Sequence, residues 1–205
     1  MPTLIFDFDG TLADTLQLTV ELFNQLAPKY HLQTLGEKDV TTLKDKSARE
    51  ILKLSGLSPF KLPFLVYDMQ QAMKGRIVDF NIFPGLKSVL NKLKKNGVTL
   101  GIVTSNSQEN VTAFLENNNL KVFDFVHSEK NLWGKGAVLK KVIKNLKLNP
   151  AEVFYVGDEV RDIEAARAAD LSVISVTWGF NSRKVLSEHH PDHIIDQPEE
   201  LLSKV

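Results

Sequence analysis

The sequence predicts an α/β protein in which a parallel sheet is covered by helices on both faces and interrupted early by an all-helical insertion. Three observations predict it. Short apolar runs ending in polar or glycine residues occur at 4–7, 98–104, 122–126, 153–157 and 171–177. Stretches with apolar residues at helical spacing, at 86–96, 108–117, 136–146 and 161–169, lie between them, and strand–helix alternation of this kind builds parallel sheets. Between the first run and the second, residues 14–83 hold no convincing strand.

Taken in order, the first element is Leu4-Ile5-Phe6, an apolar run that fits a short buried strand, followed by Asp7-Phe8-Asp9-Gly10-Thr11. Two carboxylates at a strand end lie where open parallel sheets keep their ligand crevice. Burying both is costly unless a cation or a proton transfer uses them, the alternative being a plain acidic turn. Helical stretches follow at 16–26, 47–54 and 62–77, punctuated by Pro28, Gly56-Leu57-Ser58-Pro59 and Pro63. Pro63 suits the first turn of a helix rather than its middle. An insertion of roughly 65–70 residues is too long for an ordinary connection, and one that starts beside the acidic motif can fold over it as a lid. Phe83-Pro84-Gly85 is the return into the sheet, which divides the chain into a core of 1–13 with 84–205 and a cap of 14–83.

The second strand ends Thr104-Ser105-Asn106 and a helix follows, so hydroxyls and free N–H groups form either an anion site or only a helix cap. Lys135, between Gly134 and Gly136 after Trp133, stands at a helix start where it can turn inward; most lysines are instead solvated. The fourth strand ends Gly157-Asp158-Glu159, with Asp162 four residues on; Asp162 alone could be a helix-dipole residue.

Composition narrows the classes. Lysine plus arginine equals aspartate plus glutamate at 25 each, which argues against a nucleic-acid or membrane-surface protein. Absence of cysteine excludes disulfides, thiolate metal sites and a cysteine nucleophile. The first strand begins at once, leaving no room for a signal peptide, and no apolar run approaches the roughly 20 residues of a membrane span, so a cytoplasmic protein is expected. Phe60, Phe64 and Tyr67 in the insertion are expected to pack internally; the oligomeric state, monomer or weak dimer, is left open.

Asp7-Phe8-Asp9-Gly10-Thr11, Thr104, Lys135 and Gly157-Asp158 with Asp162, in that order, resemble the four motifs of the haloacid dehalogenase (HAD) superfamily. The likeness runs through essentially the whole chain. The cap position and Phe83-Pro84-Gly85-Leu86 are similar to its phosphoglycolate-phosphatase-like branch. The resemblance implies a Rossmann-like core and a phosphatase acting on a small phosphorylated metabolite with Mg²⁺. Asp7 would be the nucleophile and Asp9 the acid and base. Thr104, Ser105, Asn106 and Lys135 would hold the phosphoryl group. Asp7, the carbonyl of Asp9 and Asp158 would hold the metal, with Thr11 supporting. Asp162 would orient Lys135 or a metal-bound water. Asp at position 9 departs from the dehalogenases and from P-type ATPases. A β-phosphoglucomutase-like mutase shares every core residue, and Leu43-Lys44-x-x-Ser47 with Arg49 is similar to its cap loop. A catalytically silent phospholigand-binding module should have lost one of these residues, and none is lost. Lys44, Lys46 and Arg49 are the candidates for contacting the rest of the substrate.

Overall fold

The protein was analysed as a computed structural model, which describes residues 1–77, 80–128 and 134–205. Six parallel strands, β1 (Thr3–Phe6), β2 (Thr99–Thr104), β3 (Phe125–Ser128), β4 (Val153–Gly157), β5 (Ser172–Val176) and β6 (His193–Ile195), form one sheet in the order β3-β2-β1-β4-β5-β6. The chain travels outward from β1 to β3, then returns to the other side of β1 for β4. The strand order therefore reverses beside β1 and β4, and the crevice opens at their carboxyl ends, where Asp7 and Asp158 stand.

Strand alternation explains why both faces are covered. Leu4 and Phe6 of β1 join Leu100 and Ile102 of β2 in a core with Leu86, Leu90 and Leu93 of helix α5 (Leu86–Lys95). Ile5, Val103 and Tyr155 point the other way, against Leu139 of α7 (Lys135–Leu146) and Ile163 of α8 (Val160–Ala168). Helix α6 (Gln108–Asn117) begins at Ser107, whose hydroxyl accepts from the Asn110 N–H.

Helices α1 (Leu16–Tyr30), α2 (Glu37–Leu43), α3 (Ala48–Ser55) and α4 (Leu62–Met73) make up the insertion. Its two connections run side by side: Ala13 bridges Ile82, and the Phe83 N–H donates to Leu12 O at 3.2 Å. The insertion has its own small core of Tyr30, Leu57 and Leu65, backed by Phe23, Leu26 and Leu52.

Four sequence expectations shift. The first helix continues past Pro28, because its lost hydrogen bond falls in the last turn and burial of Ala27 and Tyr30 favours continuation. The third strand starts later than residue 122, since the Asp124 carboxylate takes the Leu100 N–H in place of a strand partner. Helices α2 and α9 (Arg183–Glu188) and strand β6 were not anticipated; helices of six or seven residues and a three-residue strand carry too short a pattern to stand out. Phe60, Phe64 and Tyr67 do not pack internally: they are 88%, 67% and 54% exposed. No described helix is long and apolar enough to cross a membrane.

Candidate active site

Asp7 directly follows β1, and its N–H continues the ladder by donating to Val156 O at 2.8 Å. Its carboxylate is buried, with Oδ2 at 2.8 Å from Lys135 Nζ. Lys135, the first residue of α7 and itself buried, is also 2.7 Å from Asp162 Oδ1, while Asp162 Oδ2 accepts the Glu159 N–H at 3.0 Å. Asp162 is thereby fixed at both oxygens and positions Lys135 against Asp7. Burial disfavours the ammonium, but Asp162 and Asp7 outweigh it and hold Lys135 above the ordinary lysine range. Burial likewise opposes the Asp7 charge, yet Lys135 and then Arg161 keep its carboxyl below the usual value.

Asp9 is a neighbour with the opposite tendency. It lies half-buried at the mouth of the crevice, accepting from Thr15 Oγ1 at 3.0 Å and Asn106 Nδ2 at 2.9 Å. Burial and the negative charge of Asp7 push its pKa up to about 6 despite those donors. Two carboxyl groups two residues apart are thus driven in opposite directions, one kept as the carboxylate and one pushed towards the protonated form.

From β2 come Thr104, Ser105 and Asn106. Thr104 is buried, and its hydroxyl accepts the Asn106 N–H at 3.0 Å; the Asn106 side chain then reaches Asp9. From β4 comes Asp158, fully buried, accepting from Thr11 Oγ1 at 2.6 Å and the Phe180 N–H at 2.7 Å. Glycines let the backbone close on it. A Cβ at Gly10 (φ +75°) or at Gly179 would fall 2.3 Å from Asp158 Oδ2, so any other residue there displaces the carboxylate.

Oxygens of Asp7, Asp158 and Asp162 lie within 4.8 Å of one another. Burial, then the charges of Glu159, Asp162 and Asp7, raise Asp158 well above the carboxylate range, as expected where a cation is wanted. Asp7 Oδ1 is buried with no hydrogen-bond donor among the described residues. Hard oxygen donors, excess negative charge and an unspent carboxylate oxygen together fit a hard divalent ion.

A model described as haloacid dehalogenase-like hydrolase matches residues 4–176. The chain belongs to that family. The hydrolase is 37% identical to a phosphoglycolate phosphatase of Synechococcus elongatus over 100% of this chain and 97% of that one. Its fold matches a haloacid dehalogenase-like hydrolase of Streptococcus pneumoniae with a TM-score of 0.81 at 22% identity, covering 100% and 98% of the two chains. It also matches a Thermotoga maritima chain described as a candidate β-phosphoglucomutase, with a TM-score of 0.70 at 24% identity over all of both chains. Phosphatases of this family use a divalent metal, and the buried aspartate cluster is in keeping with that.

The cap candidates of the hydrolase lie beside the core but differ in what they touch. Lys44 Nζ donates to Gly179 O at 3.0 Å, and the carbonyls of Lys44 and Lys46 accept from Asn181 Nδ2. Arg49 pairs with Glu164 of α8 at 3.3 Å. The Lys46 ammonium forms no hydrogen bond or close ion pair among the described residues, and its charge is felt at Glu50. On the opposite side, Gln70 of α4 donates to Ser105 O at 2.6 Å. Trp133 lies outside the described residues. Sequence reasoning missed Arg161, Thr15 and Gln70. Only Arg161 left a trace, as a charge next to Asp162, and pattern alone cannot tell an inward arginine from a solvated one.

Proposed function

We propose that this hydrolase is a Mg²⁺-dependent phosphatase that cleaves a small phosphomonoester through an aspartyl-phosphate on Asp7. The opposed environments of Asp7 and Asp9 carry the reading. An Asp7 oxygen attacks phosphorus while Asp9 gives its proton to the departing oxygen, breaking the phosphorus–oxygen bond. Asp9, now a carboxylate, takes a proton from water; the water oxygen bonds to phosphorus, the Asp7–phosphorus bond breaks, and inorganic phosphate leaves. Lys135 and Thr104 hold phosphoryl oxygens, aided by donors of Ser105 and Asn106. Mg²⁺ would be held by Asp7, Asp158 and the carbonyl of Asp9, with Asp162 close by, and would supply charge neutralisation for nucleophile and phosphoryl group. Thr11 keeps Asp158 aimed.

The 37% identical relative makes 2-phosphoglycolate the first substrate to test. Mg²⁺-dependent phosphate release from a panel of phosphorylated metabolites checks the assignment. A preference for small phosphomonoesters is expected; conversion of a sugar phosphate to its isomer without phosphate release would establish a mutase and overturn it.

Residues 14–83 act as the cap in this proposal, and its free ammonium is the selector. Lys44 and Arg49 spend their charge on the core, whereas Lys46 retains its own. Lys46→Ala is expected to lower kcat/KM for the preferred metabolite about tenfold, roughly 1.4 kcal/mol, and to leave a small aryl phosphate nearly unchanged. Lys44→Ala and Arg49→Ala, which loosen cap docking, should lower both substrates together. Equal losses for Lys46→Ala on the two substrates would end its role as selector.

A further inference from the structure

Arg161 carries donors that the fold does not spend. It lies in the first turn of α8, 12% exposed, with Nε and Nη2 both directed at Glu159 Oε1, at 2.8 and 2.5 Å. Among the described residues Nη1 meets only Ser105 Oγ, and loosely, at 3.4 Å. A guanidinium has five N–H donors, so this edge is largely unsatisfied in a nearly buried position, which is unfavourable unless a ligand meets it. Lys135, the other cation of the crevice, is already divided between Asp7 and Asp162. Ser105 belongs to the β2 loop where the phosphoryl group is to sit, and Arg161 is close enough for its charge to be felt at Asp7, Asp9 and Asp162.

We propose that Arg161 is a further phosphoryl-binding residue: Glu159 holds one edge of its guanidinium, and Nη1 donates to an oxygen of the transferring phosphoryl group beside Ser105. The inference rests on the phosphatase reading above. It also assigns Glu159, which is turned to Arg161 and serves as its positioning residue. A planar fork held on one edge by a carboxylate presents the other edge with little loss of freedom, which a lysine at this position would not do. Because the phosphoryl group is common to all substrates, Arg161 contributes equally to each of them.

The experiment uses purified, Mg²⁺-supplemented enzyme and three readouts: inorganic phosphate affinity, kcat/KM for p-nitrophenyl phosphate, and kcat/KM for 2-phosphoglycolate. Arg161→Ala is expected to weaken phosphate binding about tenfold and to lower both kcat/KM values alike, on the order of 100-fold. Guanidinium chloride at millimolar concentration should restore part of the p-nitrophenyl phosphate activity, a rescue that a merely structural loss would not permit. Arg161→Lys should fall between. Glu159→Ala/Arg161→Ala removes both charges and guards against an orphaned glutamate that harms folding. Phosphate affinity and both kcat/KM values within twofold of the parent in the double variant would overturn the proposal. So would a loss confined to 2-phosphoglycolate, which would place Arg161 on the leaving group. A parent enzyme inactive on every phosphomonoester would instead defeat the phosphatase reading, while the phosphate-binding arm still decides the role of Arg161.

Discussion

Asp7→Asn is expected to lower turnover by about 10⁴-fold or more, upwards of roughly 5 kcal/mol in the activation barrier, with little change in the fold. An amide nitrogen cannot attack phosphorus, and the remaining amide oxygen is a far poorer nucleophile than a carboxylate. The side chain keeps its shape, and Asn still offers an oxygen to Lys135 Nζ, which stands 2.8 Å from Asp7 Oδ2. Lys135 also keeps Asp162, so the buried ammonium is not orphaned. Loss of rate at near-native Tm is therefore the signature. Acid-quenched enzyme should also yield a phosphorylated Asp7 peptide from the parent and none from the variant. Turnover above about one per cent of the parent, in protein free of parent contamination, would show that Asp7 is not the nucleophile.

Asp158→Asn is expected to move activity and stability in opposite directions. Burial, followed by the charges of Glu159, Asp162 and Asp7, raises the Asp158 pKa well above its ordinary value. A carboxyl raised on folding stabilises the protein below its unfolded pKa, and that contribution is lost as pH rises through the folded value. At neutral pH without metal, the ionised group therefore works against the fold, and a neutral isostere removes that cost. The Thr11 hydroxyl can turn to accept from the new amide, and the amide oxygen still accepts from the Phe180 N–H. Metal-free Asp158→Asn should then melt no lower than the metal-free parent. With metal the order reverses. A ligand at about 100 times its Kd stabilises a protein by about 2.7 kcal/mol, and the variant should lose most of that increment. The Mg²⁺ concentration for half-maximal activity should rise tenfold or more, and turnover should fall sharply. A chelator should abolish activity of the parent, and Ca²⁺, with its looser coordination, should inhibit it. An unchanged Mg²⁺ requirement in Asp158→Asn, or full parent activity after metal removal, would dismiss Asp158 as a ligand.

Both predictions concern residues whose importance is visible in the sequence, because each lies just past an apolar run. A strand end places its next residue at the carboxyl end of the sheet regardless of the rest of the fold, so local pattern placed Asp7, Thr104 and Asp158 at strand ends, and the resemblance to the family assigned them to one site. The parallel sheet and the position of the helical insertion follow from the same patterns, since periodicity and chain order are local properties. A capping residue at the start of the helix after β2 was legible in the same way, and Ser107 accepts the Asn110 N–H there, whereas Ser47, read as part of a helix, proves to be the cap of α3.

What tertiary structure decided depends on groups far apart in the chain. Asp162 engages Lys135, 27 residues away, and Arg161 reaches towards Ser105 across 56; neither choice of partner has a sequence period. Among three cap cations similar in sequence, docking against Gly179 and Glu164 occupies Lys44 and Arg49 and leaves Lys46 its charge. The carboxylates of the crevice are alike in sequence, yet Lys135 and Arg161 depress Asp7 against its burial, while burial and neighbouring negative charge raise Asp9 and Asp158. Strand ends and amphipathic faces are set by neighbours within a few residues, so the sequence by itself determined the sheet, the insertion and the strand-end residues Asp7, Thr104 and Asp158, but not Thr15, Gln70 or Arg161 beside them. Ionisation and pairing are set by what the fold brings within a few ångströms and shields from water, so only the tertiary structure decided which carboxyl groups are held charged, which are pushed towards the protonated form and which cations are already paired.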